Sequence, residues 1–170
     1  HNDFLYNIKN TSKTRGELSS IIRNKEDILI AYKTSGIVCL SKDKNSSNYK
    51  EQKLNINCGV FSLLKDKKQD FVWIGTDGQG LYIYSNDAHI IRTSHLKDYH
   101  SQVGRPVRAI HKDKNNTLWI GTKGDGIIRF TNYNSATTNK GKEQDIQILS
   151  TKNSDLYDNS VYCIEKSNKN

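Results

Sequence analysis

The chain has 170 residues, with 26 Lys and Arg against 18 Asp and Glu, a formal net charge of +8, and only 34% apolar residues. That apolar share is low beside the roughly 45–50% (counted with Gly) of ordinary globular chains, which argues against a thick α/β core and for thin sheets sharing small ones. No run of ~18 apolar residues occurs, so no transmembrane helix is expected. His1-Asn2-Asp3-Phe4 lacks the basic and apolar regions of a signal peptide. With no Met and a His at its start, the sequence reads as a piece of a longer protein, with any targeting or membrane segment outside it.

Taken in order, Phe4-Leu5-Tyr6-Asn7-Ile8 is a short β-prone run. Leu18–Arg23, Ile28–Tyr32 and Ile37–Leu40 read as three strands separated by turns at Asn24–Asp27 and Lys33–Gly36. Residues 41–57 are polar, with Ser41 to Lys53 reading as a low-complexity connector. A second set follows: Val60–Leu64, a turn from Lys65 to Asp70, a strand around Trp73, then Leu81–Tyr84 and His89–Thr93. A third set is Val107–Lys112, a strand around Trp119, Ile127–Phe130 and, after an insertion at 132–145, Ile146–Leu149. Pro106 precedes a first strand, where its missing N–H breaks no ladder. A fourth set opens at Asn159–Lys166 without the Trp strand that should follow.

Two stretches tie these sets together. Val72-Trp73-Ile74-Gly75-Thr76-Asp77-Gly78-Gln79-Gly80-Leu81 and Leu118-Trp119-Ile120-Gly121-Thr122-Lys123-Gly124-Asp125-Gly126-Ile127 share order and spacing. Gly75 and Gly121 are 46 residues apart, and Gly36 and Gly80 are 44 apart, although in the first set Leu29 replaces the Trp and Ala31 the Gly. Four short antiparallel strands at a period near 45 are the signature of a propeller blade. The expected fold is therefore all-β. It comprises about three complete blades (approximately 18–57, 58–100 and 105–152) and a truncated one (159–170), an open propeller fragment. Alternation places Trp73 on one face of its strand and Val72 and Ile74 on the other, both packed against neighbouring blades. Thr76 and Thr122 are placed to bond local backbone groups at strand ends.

These residues resemble the two-component regulator propeller repeat, with good matches at 60–84 and 107–130, a degenerate copy at 18–40 and a truncated one at 159–166. The resemblance implies seven-bladed propellers in the periplasmic sensor portion of hybrid histidine kinase/response regulators, often of Bacteroides-type gut bacteria. It implies a non-catalytic module that detects glycan-derived oligosaccharides and signals across the membrane. The alternatives are a propeller-fold polysaccharide-degrading enzyme and a protein-interaction scaffold. Partners implied are an oligosaccharide ligand and the rest of the parent propeller, or a homodimer covering the open blade faces. The membrane would be met only through parent segments outside this piece.

No catalytic constellation emerges from the residues. His1, His89, His95, His100 and His111 show no metal spacing, there is no GxSxG elbow, and the Gly-rich stretch at 75–80 leads into a strand rather than a helix. No cofactor and no metal is expected. Cys39, Cys58 and Cys163 have no metal-ligand spacing, and as an odd set they build no disulfide framework; thiols on strands behave as small buried hydrophobes. The basic residues are scattered singly, Lys67-Lys68 being the one adjacent pair, as on a solvated surface, so no nucleic-acid partner is expected. Propeller topology puts the turn between second and third strands on the same rim as the entry to each first strand. That rim should carry Lys33, Asp77, Gln79, Lys123, Asp125, Tyr99, His100, Arg105 and Arg108. Arg105, Arg108 and Lys123 are the candidate ligand-binding residues, for an acidic or hydroxyl-rich ligand.

Overall fold

The computed structural model describes residues 15–43, 45, 48–68, 70–85, 90–92 (backbone), 105–131 and 146–167. The expected strand at Phe4–Ile8, the insertion at 132–145, and Tyr99 and His100 lie outside them. The described residues form three four-stranded antiparallel meanders. The first is β1 (Leu18–Asn24), β2 (Asp27–Tyr32), β3 (Gly36–Lys42) and β4 (Tyr49–Lys53). The second is β5 (Val60–Asp66), β6 (Phe71–Thr76), β7 (Leu81–Ser85) and β8 (Ile90–Arg92). The third is β9 (Val107–Lys112), β10 (Leu118–Thr122), β11 (Ile127–Phe130) and β12 (Ile146–Leu149). Adjoining sheets meet most closely along their first strands, β1 beside β5 and β5 beside β9, so the sheets fan out as the blades of an open propeller.

The period-two alternation of β6 works as the sequence predicts. Phe71 and Trp73 pack with Val107, Leu118 and Ile120 of the third blade, while Val72 and Ile74 pack with Leu29, Ala31 and Ile37 of the first. Trp73 is fully buried, and Phe71 meets it edge to face at 5.2 Å. Trp119, at the same place in the third blade, is half-buried, with the Arg129 guanidinium 5.5 Å over its ring.

Each Trp is also held by an Asp at the end of the preceding first strand. Trp73 Nε1 donates to Asp66 Oδ2 at 3.3 Å and Trp119 Nε1 to Asp113 Oδ2 at 3.1 Å. Asp66 is buried and also receives Lys112 from the third blade, so the first strands of two blades are tied by a buried ion pair.

The Gly of Trp-Ile-Gly-Thr is a packing requirement. A Cβ on Gly75 would lie 2.2 Å from Ser62 Oγ and 2.6 Å from Val107 Cγ1. On Gly121 it would lie 2.9 Å from Val161 Cγ1 and 3.2 Å from the Ala109 Cβ. In both cases a Val of the next repeat lies in that space, Val107 at the start of β9 and Val161 in the segment that follows the third blade. Ala31 holds the corresponding place beside Val60, within one buried cluster. Fully burying such a Val stabilises by about 1.5–3 kcal/mol, a contact the missing Cβ makes available. Gly126 is required for another reason: its φ is 80°, and a Cβ there would meet the Leu149 carbonyl oxygen at 2.0 Å.

Two expectations are corrected. Ser41–Lys53 is not only a connector: Tyr49–Lys53 pairs with β3 as the outer strand of the first blade. Its Tyr-Lys-Glu-Gln-Lys sequence hid it, because an outer edge strand is held by backbone bonds and keeps charged side chains in water. Leu54 and Ile56, just beyond, are buried in the core between the first two blades. Secondly, Asn159–Lys166 forms no strand. Ser160 bridges Lys123, and Val161 N–H donates to the Thr122 carbonyl at 2.8 Å, but no ladder continues. A first strand takes its ladder from a second strand, and among the described residues none pairs with 159–166 beyond that bridge.

Replacing Gly75 with Ala is expected to destabilise the fold by about 1–3 kcal/mol through overpacking against Val107 and Ser62, read as a lowered denaturant midpoint. An unchanged midpoint would refute that packing account. A second expectation concerns acid. Burial pushes the Asp113 carboxyl up, but hydrogen bonds from Trp119, Thr117 and Asn115 outweigh it and hold the group below the usual carboxylate range. The folded value is thus below the unfolded one. The stability it contributes is complete above the unfolded value and is lost as pH falls through the folded one. Acidification below about pH 4 should therefore lower the unfolding midpoint, and Asp113→Asn should flatten that dependence.

Candidate functional site

The turns between second and third strands, together with the segments entering the first strands, form one rim of the blades. In each blade the turn is bonded to the entry: Lys33 N–H to the Glu17 carbonyl at 2.9 Å, Asp77 N–H to Gly59 at 2.8 Å, and Lys123 N–H to Pro106 at 2.9 Å. Asn159, on the entry of the fourth repeat, takes bonds from the N–H groups of Gly124 and Gly126 at 3.0 and 2.8 Å. The turns themselves are fastened alike. Thr76 Oγ1 donates to the Gly80 carbonyl at 2.6 Å, and Thr122 Oγ1 to Gly126 at 2.9 Å. Each hydroxyl in return accepts an N–H, from Gln79 at 3.1 Å and from Asp125 at 3.0 Å. The rim is thus a row of backbone-braced loops that can present side chains without moving.

The side chains on it are polar. Asp77, Gln79, Arg105 and Lys123 are exposed. Arg105 Nε lies 3.6 Å from Asp125 Oδ1, so part of the expected cationic surface is neutralised by its own neighbour. Arg105 and Lys123 do share the rim, since Lys123 is bonded to Pro106 beside Arg105.

Arg108 is placed differently, and the reason is a repeated irregularity. In every blade the ladder between first and second strands skips one residue at the same point: Ser19, Phe61 and Arg108. A one-residue bulge turns the skipped side chain off the normal alternation. The three bulges lie on the first strands, where blades adjoin, so their side chains meet the neighbouring blade. Ser19 Oγ donates to the Val60 carbonyl. The Arg108 guanidinium lies 3.6 Å over the Phe61 ring. That is close cation–π contact, and it leaves a planar cation on an apolar base. Arg108 Nε is buried and makes no hydrogen bond among the described residues. Arg105 and Lys123 therefore stand at the rim, with Arg108 one step down the first strand.

Phe61 was not among the residues singled out from the sequence. Overlaying Val60-Phe61-Ser62 on Val107-Arg108-Ala109 would have put Phe61 and Arg108 at one repeat position, and so on adjoining strands. The bulge that aims them together is invisible to a strict period of two. Among the described residues no three His, Cys, Asp or Glu side chains converge as metal ligands would.

The thiol nearest this rim is Cys58, on the entry to β5. Burial pushes it up, and hydrogen bonds from Thr76 and the Asp77 backbone only partly offset that. Burial likewise raises Cys39, which lies 3.3 Å from Tyr84 Oη, itself donating to Asp27 Oδ2 at 2.7 Å. Cys163 is exposed. In native protein at about pH 8 a thiol-exchange reagent should modify Cys163 rapidly, while Cys58 lags and Cys39 reacts only with unfolding. Equal rates at all three would contradict the packing described.

Residues 101–124 match the family model of the two component regulator propeller, a span running from the entry of β9 into the turn after β10. The Trp-Ile-Gly-Thr resemblance is borne out there. The chain is also similar to two crystal structures of the extracellular domain of BT4673 from B. thetaiotaomicron, described in one as a one component system and in the other as a hybrid two component system. Both superpose with a TM-score of 0.60, at 22% and 23% identity over 89% and 87% of this chain. The chain spans 19% of the length of each. At that identity the likeness establishes the fold. No curated protein matches the sequence.

Proposed function

We propose that this chain is a non-catalytic part of an extracytoplasmic sensor in a hybrid two-component system, detecting glycan-derived oligosaccharides from the periplasm. The observation that carries this reading is the two component regulator propeller match on 101–124, the stretch that also supplies Arg105, Arg108 and Lys123. Support comes from the likeness to the BT4673 extracellular domain over most of the chain.

The geometry fits a binding role on physical grounds. A sensor needs a surface fixed before the ligand arrives, and the rim loops are fixed by backbone bonds and Thr hydroxyls. Hydroxyl-rich ligands are recognised by charged and amide groups around an apolar platform. Arg105, Lys123, Gln79 and Asp125 supply the former and Arg108 stacked on Phe61 the latter. Signalling would follow if a ligand seated there tightened the contact between first strands of adjoining blades, because Arg108 and Phe61 belong to different blades.

Thermal-shift screening of the chain against oligosaccharides tests the reading, with hits followed by calorimetry. The variant Arg105→Ala/Arg108→Ala/Lys123→Ala is expected to weaken a hit by at least about tenfold, the loss of one to two charge-assisted hydrogen bonds, while keeping its fold by circular dichroism. Undiminished binding by that variant would remove the rim from the proposal, and appearance of shortened glycan products would replace the sensor with an enzyme.

A further inference from the structure

The opposite ends of the same strands carry a second polar feature. Where β5 and β9 finish, a groove of about 300 Å³ opens between the second and third blades. It is lined by Leu64, Lys65, Lys67, Lys68, His111 and Lys112, together with Asp66 and Asp113. This end is separate from the rim, because Val60 pairs with Thr76 at the rim and Asp66 with Phe71 here.

Charge in this groove is not balanced where a ligand would meet it. Four ammonium groups stand against two carboxylates, and both carboxylates are engaged from within. Asp66 accepts the Trp73 indole N–H at 3.3 Å, the Lys68 backbone N–H at 3.0 Å and the Lys112 ammonium. Asp113 accepts the Trp119 indole at 3.1 Å and the N–H groups of Asn115 and Thr117, each at 2.9 Å. Lys65, Lys67, Lys68 and His111 make no ion pair among the described residues. Lys67-Lys68 is also the one adjacent basic pair in the chain. Holding these cations together costs like-charge repulsion that an anion between them would relieve.

We propose that this groove is an oxyanion site, taking a phosphate or sulfate group carried on a small polar body. Lysine ammoniums are compact point charges, suited to the rounded charge of a tetrahedral oxyanion rather than to the flat fork of a carboxylate. The volume exceeds what a bare oxyanion fills and leaves room for an attached unit of monosaccharide size. Leu64 offers that unit an apolar wall, and Lys112 reaches the anion while anchored on Asp66. The site is independent of the sensor reading and would stand if that reading failed.

Calorimetric titration of the full chain at low ionic strength tests it, with glucose 6-phosphate, glucose 6-sulfate, inorganic phosphate and glucose as probes. Both esters are expected to bind, with affinity falling as NaCl is added, and glucose is expected not to. The variant Lys65→Gln/Lys67→Gln/Lys68→Gln should weaken ester binding by about tenfold or more with an unchanged melting curve. Arg105→Gln/Lys123→Gln at the rim should leave it intact. Tighter binding of the esters than of inorganic phosphate assigns the ester as ligand, and equal binding assigns the free ion; either result upholds the site. Absence of binding by all three anions, or equal binding by the triple Lys variant, would overturn it.

Discussion

Val107 can lie against the backbone of β6 only because residue 75 has no Cβ, and Val161 lies against β10 by the same permission at residue 121. This contact sets how closely one blade approaches the next. With it in place, Trp73 and Phe71 reach the third blade's Leu118 and Ile120, and the core between the blades closes. Ser62 then donates to the Val107 carbonyl at 3.4 Å, as Ser19 does to Val60 one blade earlier. The repeated residues are thus less a description of one blade than of the joint between two. A blade alone could not bury either of its faces, so the sequence repeats what the joint needs.

That joint also determines both ends of the strands. At one end the turns after Gly75 and Gly121 are bonded to the entries of first strands, which brings Arg105, Lys123 and Asp125 together and lets the bulged Arg108 cover Phe61. At the other end the close approach of β5 and β9 brings Lys112 onto Asp66 and gathers Lys65, Lys67, Lys68 and His111 around one groove. Polar chemistry collects at the strand ends because the strand centres are closed on both faces by neighbouring blades. The separation matters for function: the two ends are joined by rigid strands, and either could be occupied without disturbing the core.

Trp73, Gly75, Thr76 and the alternation of β6 were legible because each follows from a local rule: period two, a strand-end hydroxyl, a crowded backbone. β4 was not legible, since Tyr-Lys-Glu-Gln-Lys is held by backbone pairing to β3 and carries almost no apolar signal. The rim was legible as topology, and the structure brings Arg105 and Lys123 to it. Phe61 was not legible, because a bulge turns it out of the strand's alternation. The Asp partners of the two Trp residues were missed because they lie six and seven residues away, across turns of unequal length.

The sequence by itself determined the blade plan, four strands in order at a fixed spacing, with the Trp and Gly that mark the second and third units, though not the outer strand of the first. It could do so because hydrogen-bond ladders between chain neighbours and hydrophobic alternation are local properties. Tertiary structure alone decided what stands beside what between blades: Arg108 on Phe61, Lys112 on Asp66, Val107 against Gly75. Those pairs are some 30 to 50 residues apart, and what brings them together is a one-residue bulge and the loss of one methyl group, features too small to alter a pattern yet large enough to aim a side chain.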